Sequence, residues 1–309
     1  MNEKISAAQL GGWLIVAMSA PIAFLAGKDG WLSVLVAAVC GLLLSLAVFS
    51  CMIPKGKVFC IMEFCFLVAA TAAVSGWSAS IWPTGRAFPA VPLTLIALGV
   101  AASWNGVSRA SKGMGVLFWL TIIVYGTLLA FGVRNVQISY LAPRGEYISP
   151  LSWFVFLLPS VASLLPRQEG RIRGHLLAIA AMGIVIAVWT VGNLSQPVAQ
   201  NVAWPFYEAG ESVRLFGIAN RLESLISVGA TIGFYSLYSL LFGAAGHLAE
   251  MVKNGWGKGG ILLAAALSGC SVLLRVEIPL NVLTVGAFVF WLAVPILRSK
   301  IPEKNCKKT

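Results

Sequence analysis

The sequence predicts an all-α membrane protein of about ten transmembrane helices, with the first and sixth interrupted near their middles. Three observations carry that expectation. Hydrophobic residues make up 59% of the 309, and the mean hydropathy is +0.87, where soluble domains run to roughly 45–50% apolar. The apolar residues gather in ten runs, most of them near the ~20 residues needed to cross a hydrocarbon core. The basic residues in the loops between those runs are unevenly divided between the two sides.

In chain order the runs are 8–27, 31–53, 58–82, 90–104, 113–132, 150–165, 175–193, 222–248, 260–274 and 280–297. With a cytoplasmic N-terminus, fifteen Lys and Arg fall on the inner side and seven on the outer. That is the bias expected of cytoplasmic loops, and it places both termini inside. Dropping one run would scatter the basic clusters over both sides. The net charge of +11 therefore reports topology and calls for no nucleic acid. Residues 1–301 read as a single transmembrane domain and 302–309 as a basic cytoplasmic tail. The opening run has a Lys before it, as a signal peptide does, but it leads straight into a second long run and is expected to stay.

The first run contains Met18-Ser19-Ala20-Pro21 and the sixth contains Leu158-Pro159-Ser160-Val161, with Ser163 a turn further on. A proline inside an apolar helix lacks one donor and clashes with the carbonyl a turn earlier. Freed backbone is tolerable at membrane depth only where protein or a watery cavity satisfies it. Interrupted spans at corresponding places in two halves point to a solute site near the midplane; a simple packing kink is the plain alternative at each.

Run two opens on Trp31, an interfacial anchor. Run three carries Glu63, an acidic residue well inside an apolar span and roughly 9 Å along the helix from Lys57. Two readings stand for it: a coupling carboxylate for a proton or ion, or a group near the interface that reaches water or pairs with Lys57. Runs four and five, joined by a loop with Asn105, Arg109 and Lys112, read as scaffold. The longest loop, 194–221, contains Pro205-Phe206-Tyr207-Glu208, which suits the first turn of a short helix. An external gate, a docking surface and a plain surface helix are all open readings of it. In run eight Ser224, Ser227, Thr231, Tyr235 and Tyr238 recur at helical steps. Turned inward, that stripe lines a cavity or packs on neighbours, and Gly229 and Gly233 supply the small-residue spacing for close packing.

The six cysteines show no paired metal-ligand spacing and are expected as small buried hydrophobes without disulfides. His175 and His247 have no acidic or Cys companions at metal spacing. No Walker loop, dinucleotide fingerprint or nucleophile elbow is present, so no enzyme constellation, cofactor or catalytic residue is predicted.

The paired breaks, together with Ile5-Ser6 and Gln9, Asp29-Gly30-Trp31-Leu32-Ser33, Pro205-Phe206, Arg214, Gly217 and Arg221-Leu222-Glu223, resemble the amino acid, polyamine and organocation superfamily. More narrowly they resemble the GerAB-type endospore germination permeases, the B subunits of spore germinant receptors. The similarity runs from about Ile5 to Ile301. The first break lacks the glycines usual in that family, and the sixth lacks its Gly-Phe-Glu type element. The resemblance implies a five-plus-five inverted repeat with halves of about 5–133 and 149–301 and discontinuous helices 1 and 6. It also implies an amino acid germinant, A-type and C-type partner subunits, and a place in the spore inner membrane. By analogy the ligand would be held by Ala17, Ser19, Ala20 and Pro21 in the first break and by Leu158, Pro159, Ser160 and Ser163 in the sixth. Thr231 and Tyr235 of run eight would complete the site, with Glu63 as the coupling group. A proton- or sodium-coupled transporter of similar small solutes fits the same residues.

Overall fold

In the computed structural model the described residues are 4–24, 30–50, 56–82, 89–142, 149–166, 172–212, 223–276 and 278–299. They are mostly helical, with no strand among them. The chain order is α1 (Ala7–Phe24), α2 (Trp31–Phe49), α3 (Lys57–Ala79), α4 (Ala90–Trp104), α5 (Val107–Gly132), α6 (Pro150–Leu157), α7 (Arg173–Leu194), α8 (Gln196–Asn201), α9 (Pro205–Ser212), α10 (Glu223–Val252), α11 (Gly257–Leu274), α12 (Leu280–Ala287) and α13 (Val294–Ser299). A 3₁₀ segment, Leu158–Leu164, continues α6, and a π-helical turn, Phe288–Ala293, joins α12 to α13. Asp29, Arg214, Gly217, Arg221, Leu222 and the tail 302–309 lie outside the described residues.

Eight helices are long and apolar enough to cross a membrane, and Ala90–Trp104 and Pro150–Leu164 are shorter. The shortfall differs between those two. Fifteen α-helical residues in α4 rise about 22 Å. The same number in α6 and its extension reaches about 26 Å, because a 3₁₀ turn stretches to ~2.0 Å per residue. Apolar side chains such as Val116, Trp119 and Ile123 on α5 and Leu263 and Leu274 on α11 are exposed, a surface compatible with an integral membrane protein.

Helix α5 begins at Val107, six residues earlier than its apolar run predicts, so Arg109 and Lys112 stand on its first turns and not in a loop. The cause is a two-residue turn at Asn105 and Gly106, where Gly106 takes a φ of 98° that a side chain would oppose. The π turn ahead of α13 precedes Pro295, which has no N–H to offer the carbonyl of Trp291.

The core is built around α10, which packs on α1, α3, α4, α5 and α11. Helix α2 packs on α6 and α7, and α12 packs on α6. Connections predicted for one side meet one another. The Ile5 N–H donates to the Pro166 carbonyl at 3.1 Å. At the other end the Trp31 indole N–H donates to the Leu141 carbonyl at 2.9 Å, and the Gln137 N–H to the Gly192 carbonyl, also at 2.9 Å. Among the cysteines Cys60 is buried and Cys40 half-buried, but Cys65 and Cys270 are exposed. The expectation of uniformly buried thiols is corrected there: both line an apolar groove between α3 and α11.

Candidate solute site

The first predicted break is not a break. Helix α1 runs unbroken from Ala7 to Phe24 with Pro21 inside it. Pro21 is the fifteenth of its eighteen residues and withholds an N–H from the Ala17 carbonyl without ending the helix. The Ser19 hydroxyl donates to the Val16 carbonyl at 2.8 Å, which satisfies it within its own helix. Ala17, Ser19, Ala20 and Pro21 are all buried, and α10 covers part of this stretch. A methyl group added at Gly233 would lie 2.5 Å from the Ala20 Cβ and 2.8 Å from the Ser19 Oγ. The glycine thus lets the two backbones approach, leaving no room for a ligand between Gly233 and Ser19–Ala20. The Tyr125 hydroxyl, buried without a hydrogen bond of ordinary geometry, faces Ser19 from α5.

The sixth span does change. At Leu158 the α-helix gives way to seven residues of 3₁₀ structure, longer than the three or four residues usual for such runs and typical of a hinge or a functional interruption. Pro159 is its second residue and cannot donate to the carbonyl of Val155. The segment is buried from Leu158 to Leu164, with Ser160 1% and Ser163 7% exposed. Its polar partner is on α2: the Ser45 and Ser160 hydroxyls are 3.2 Å apart and hydrogen-bonded. The start of α6 is fixed by the Ser149 hydroxyl, which accepts from the Leu151 N–H at 3.2 Å, and by the Thr284 hydroxyl, which donates to the Pro150 carbonyl at 2.9 Å.

The polar stripe of α10 does not turn inward along its length. Ser224 and Ser227 are exposed and Thr231 is half-buried, its hydroxyl donating to the Ser227 carbonyl at 2.8 Å. Tyr235 is half-buried, and only Tyr238 of the five is buried. The buried polar residues of α10 are Ser236, Tyr238 and Ser239, spread over nearly half of the helix circumference. The Tyr238 hydroxyl bonds to that of Ser78 on α3, and the Ser78 hydroxyl also donates to the Ser75 carbonyl at 3.0 Å. The Trp13 indole N–H donates to the Ser236 carbonyl at 3.1 Å, and the Ser103 hydroxyl to that of Ser239 at 2.9 Å. Sequence reasoning missed Ser45, Ser78, Ser236 and Ser239. A signal was present in the serine pairs spaced three apart on α3 and α10, which is also what plain helix packing uses.

Glu63 is 1% exposed on α3 while Lys57 is exposed. Six residues turn a helix through about 240°, so the two stand on different faces. Among the described residues no three His, Cys, Asp or Glu side chains gather as a metal site would.

No protein-family model matches the chain, and no curated protein is similar to it.

Short helices cover the end of α1. Helix α9 begins at Pro205, as predicted, and inserts Phe206 among aromatic rings. Its ring centroid is 5.3 Å from Trp189, 5.9 Å from Tyr125 and 6.4 Å from Phe24. Phe24 also meets Trp204 at 6.2 Å, and Phe234 meets Trp82 at 5.8 Å. Edge-to-face and offset aromatic packing of this kind is directional as well as apolar. It forms a cap over the junction of α1, α5, α7 and α10.

Proposed function

We propose that the chain is the membrane subunit of a spore germinant receptor, of the GerAB type and built like an amino acid permease. It senses a small germinant, an amino acid by class, and passes the signal to A-type and C-type partner subunits in the spore inner membrane, both termini lying in the cytoplasm. The observation that carries this reading is the seven-residue 3₁₀ segment at the centre of the sixth span, buried and holding Pro159, Ser160 and Ser163. A backbone that leaves α geometry inside an apolar core presents N–H and C=O groups to a zwitterion, the amides attracting its carboxylate and the carbonyls its ammonium.

The helix pairings support ten spans in two related halves. Counting α6 with its extension as the sixth span and α10, α11 and α12 to α13 as the last three, α4 on α10 has its counterpart in α11 on α3. Likewise α2 on α6 matches α7 on α1, and α1 on α5 matches α6 on α12. These are the pairs a two-fold relation between spans five apart would produce. The departure is instructive. Where α1 meets α10 through Gly233 and Ala20, the corresponding α3 and α6 are bridged by the Trp77 and Phe154 rings, centroids 5.6 Å apart. The ligand therefore belongs on the α6 side, along Leu158, Ser160 and Ser163. Ala17, Pro21, Thr231 and Tyr235 are the candidates to flank it, and Glu63 is the candidate for coupling.

Disruption of the gene in a spore-forming host, with the spores tested against single amino acids, decides the matter. Loss of response to one germinant is expected; an undiminished response to every germinant overturns the reading. A coupled transporter is the second reading, favoured by the aromatic cap over one end of α1 and an open cavity near the opposite end of α10. Gradient-dependent uptake of an amino acid by the purified protein in liposomes would select it.

A further inference from the structure

The turn joining α4 to α5, the last turns of α10 and the start of α11 line an open cavity of about 370 Å³. It lies away from Gly233, since the first α10 residue to line it, Gly243, is ten residues further on, about 15 Å along the axis; Pro166, three residues after Ser163, also lines it. Its polar lining is dominated by donors. Arg109 contributes a guanidinium, His247 an imidazole, Asn105 an amide and Ser108 a hydroxyl. A carboxylate, Glu250, also lines it and keeps its negative charge beside His247, while each of its oxygens accepts a backbone N–H. One accepts the Gly255 N–H and the other the Gly257 N–H, both at 2.9 Å, closing the turn into α11. The Ser103 hydroxyl is likewise committed, donating to the Gly99 and Ser239 carbonyls at 2.9 Å.

The remaining side-chain chemistry is a forked cation and two neutral or cationic donors around a space large enough for a tetrahedral oxyanion and its immediate substituents. Arg matches such an anion with two parallel N–H bonds, where Lys supplies a point charge. Two lysines nearby are turned to aromatic rings instead. The Lys258 Nζ lies 5.0 Å from the Trp104 ring centroid and the Lys253 Nζ 4.7 Å from that of Trp256. Cations over tryptophans fit the level of lipid headgroups.

We infer that this cavity binds a phosphate-type oxyanion, on Arg109 and His247 with Asn105 as a supporting donor. The site is independent of the germinant reading and would serve a sensor or a transporter equally. Two sources share the chemistry: inorganic phosphate and the phosphodiester of an anionic lipid headgroup.

The experiment uses the full chain. In detergent, inorganic phosphate is titrated and thermal unfolding followed. In parallel, the protein is placed in nanodiscs of phosphatidylcholine alone or with phosphatidylglycerol. Stabilisation by millimolar phosphate identifies the free anion, and stabilisation by phosphatidylglycerol alone identifies the headgroup; either supports the site. Arg109→Gln is expected to weaken the effect by at least about tenfold, as loss of a charge-assisted bond does. His247→Gln should weaken it less, and Lys258→Gln should leave it unchanged. Should Arg109→Gln fail to fold, His247→Gln and Arg109→Lys carry the test. Stabilisation by neither ligand, or equal stabilisation of the wild type and the cavity variants, overturns the site.

Discussion

Gly233 of α10 rests against Ala20 of α1 so closely that a single added carbon would fall 2.5 Å from the Ala20 Cβ. Backbone borders this contact: the Ala20 nitrogen would be 2.8 Å away. Neither helix can yield by a rotamer change, so Gly233→Ala should force the axes apart. The expected loss is about 1–3 kcal/mol, the usual range for overpacking. Thermal unfolding in detergent measures it, with Gly126→Ala as the reference because an added carbon there meets nothing within 4 Å. Equal melting temperatures for the two variants would show that α1 and α10 are not in contact at this depth.

The hydroxyl pair of Ser45 and Ser160, 3.2 Å apart, ties α2 to the 3₁₀ segment. Removing one hydroxyl leaves the other buried and unpaired, so Ser160→Ala should cost about 1–3 kcal/mol. The double variant Ser45→Ala, Ser160→Ala should recover part of that cost, since no orphan polar group remains. A urea or thermal series of the two single variants and the double one reads the coupling directly; strict additivity would mean that the hydroxyls do not interact.

Ser160 also separates function from scaffolding. Ser160→Leu and Ser163→Leu place bulk on the buried segment proposed to hold the ligand. Both are expected to abolish the germinant response, or solute uptake, while a correctly inserted protein persists. Normal activity in both variants would leave the segment a packing feature and favour a non-binding assembly role.

How far the sequence could be read depended on which physical effect each residue obeyed. Long apolar runs announced the eight longer helices because crossing hydrocarbon fixes both length and composition. Pro159 announced the change in the sixth span because it stands mid-helix, with turns on both sides to disturb. Pro21 misled although it too stands past the first turn: α1 stays helical around it from Ala7 to Phe24, with an N–H withheld from the Ala17 carbonyl. The stripe on α10 misled because Ser224 and Ser227 keep helical spacing with Tyr238 while lying at an exposed end. Periodicity reports a face of the helix, not the depth at which that face meets the core. Arg109 was assigned to a loop since charge marks the end of an apolar run, and a helix can outlast the run by several residues.

The aromatic cap yields the remaining prediction. Phe206 is fully buried against Trp189, Tyr125 and Phe24, and its backbone is carried by an eight-residue helix, α9, too short to be stable without that anchor. Phe206→Ala removes the anchor, and truncations of this size cost about 3–5 kcal/mol in a rigid core. Here the cost should be smaller and local, because α9 can lift while α1, α7 and α10 keep their mutual packing. The readout is access: in a background without the native cysteines, Ser19→Cys should be shielded from a membrane-impermeant thiol reagent and become labelled at least several times faster once Phe206→Ala is added. A rate unchanged by the second substitution, in a protein whose melting temperature has fallen, would make Phe206 a core residue alone and leave the end of α1 closed by something else.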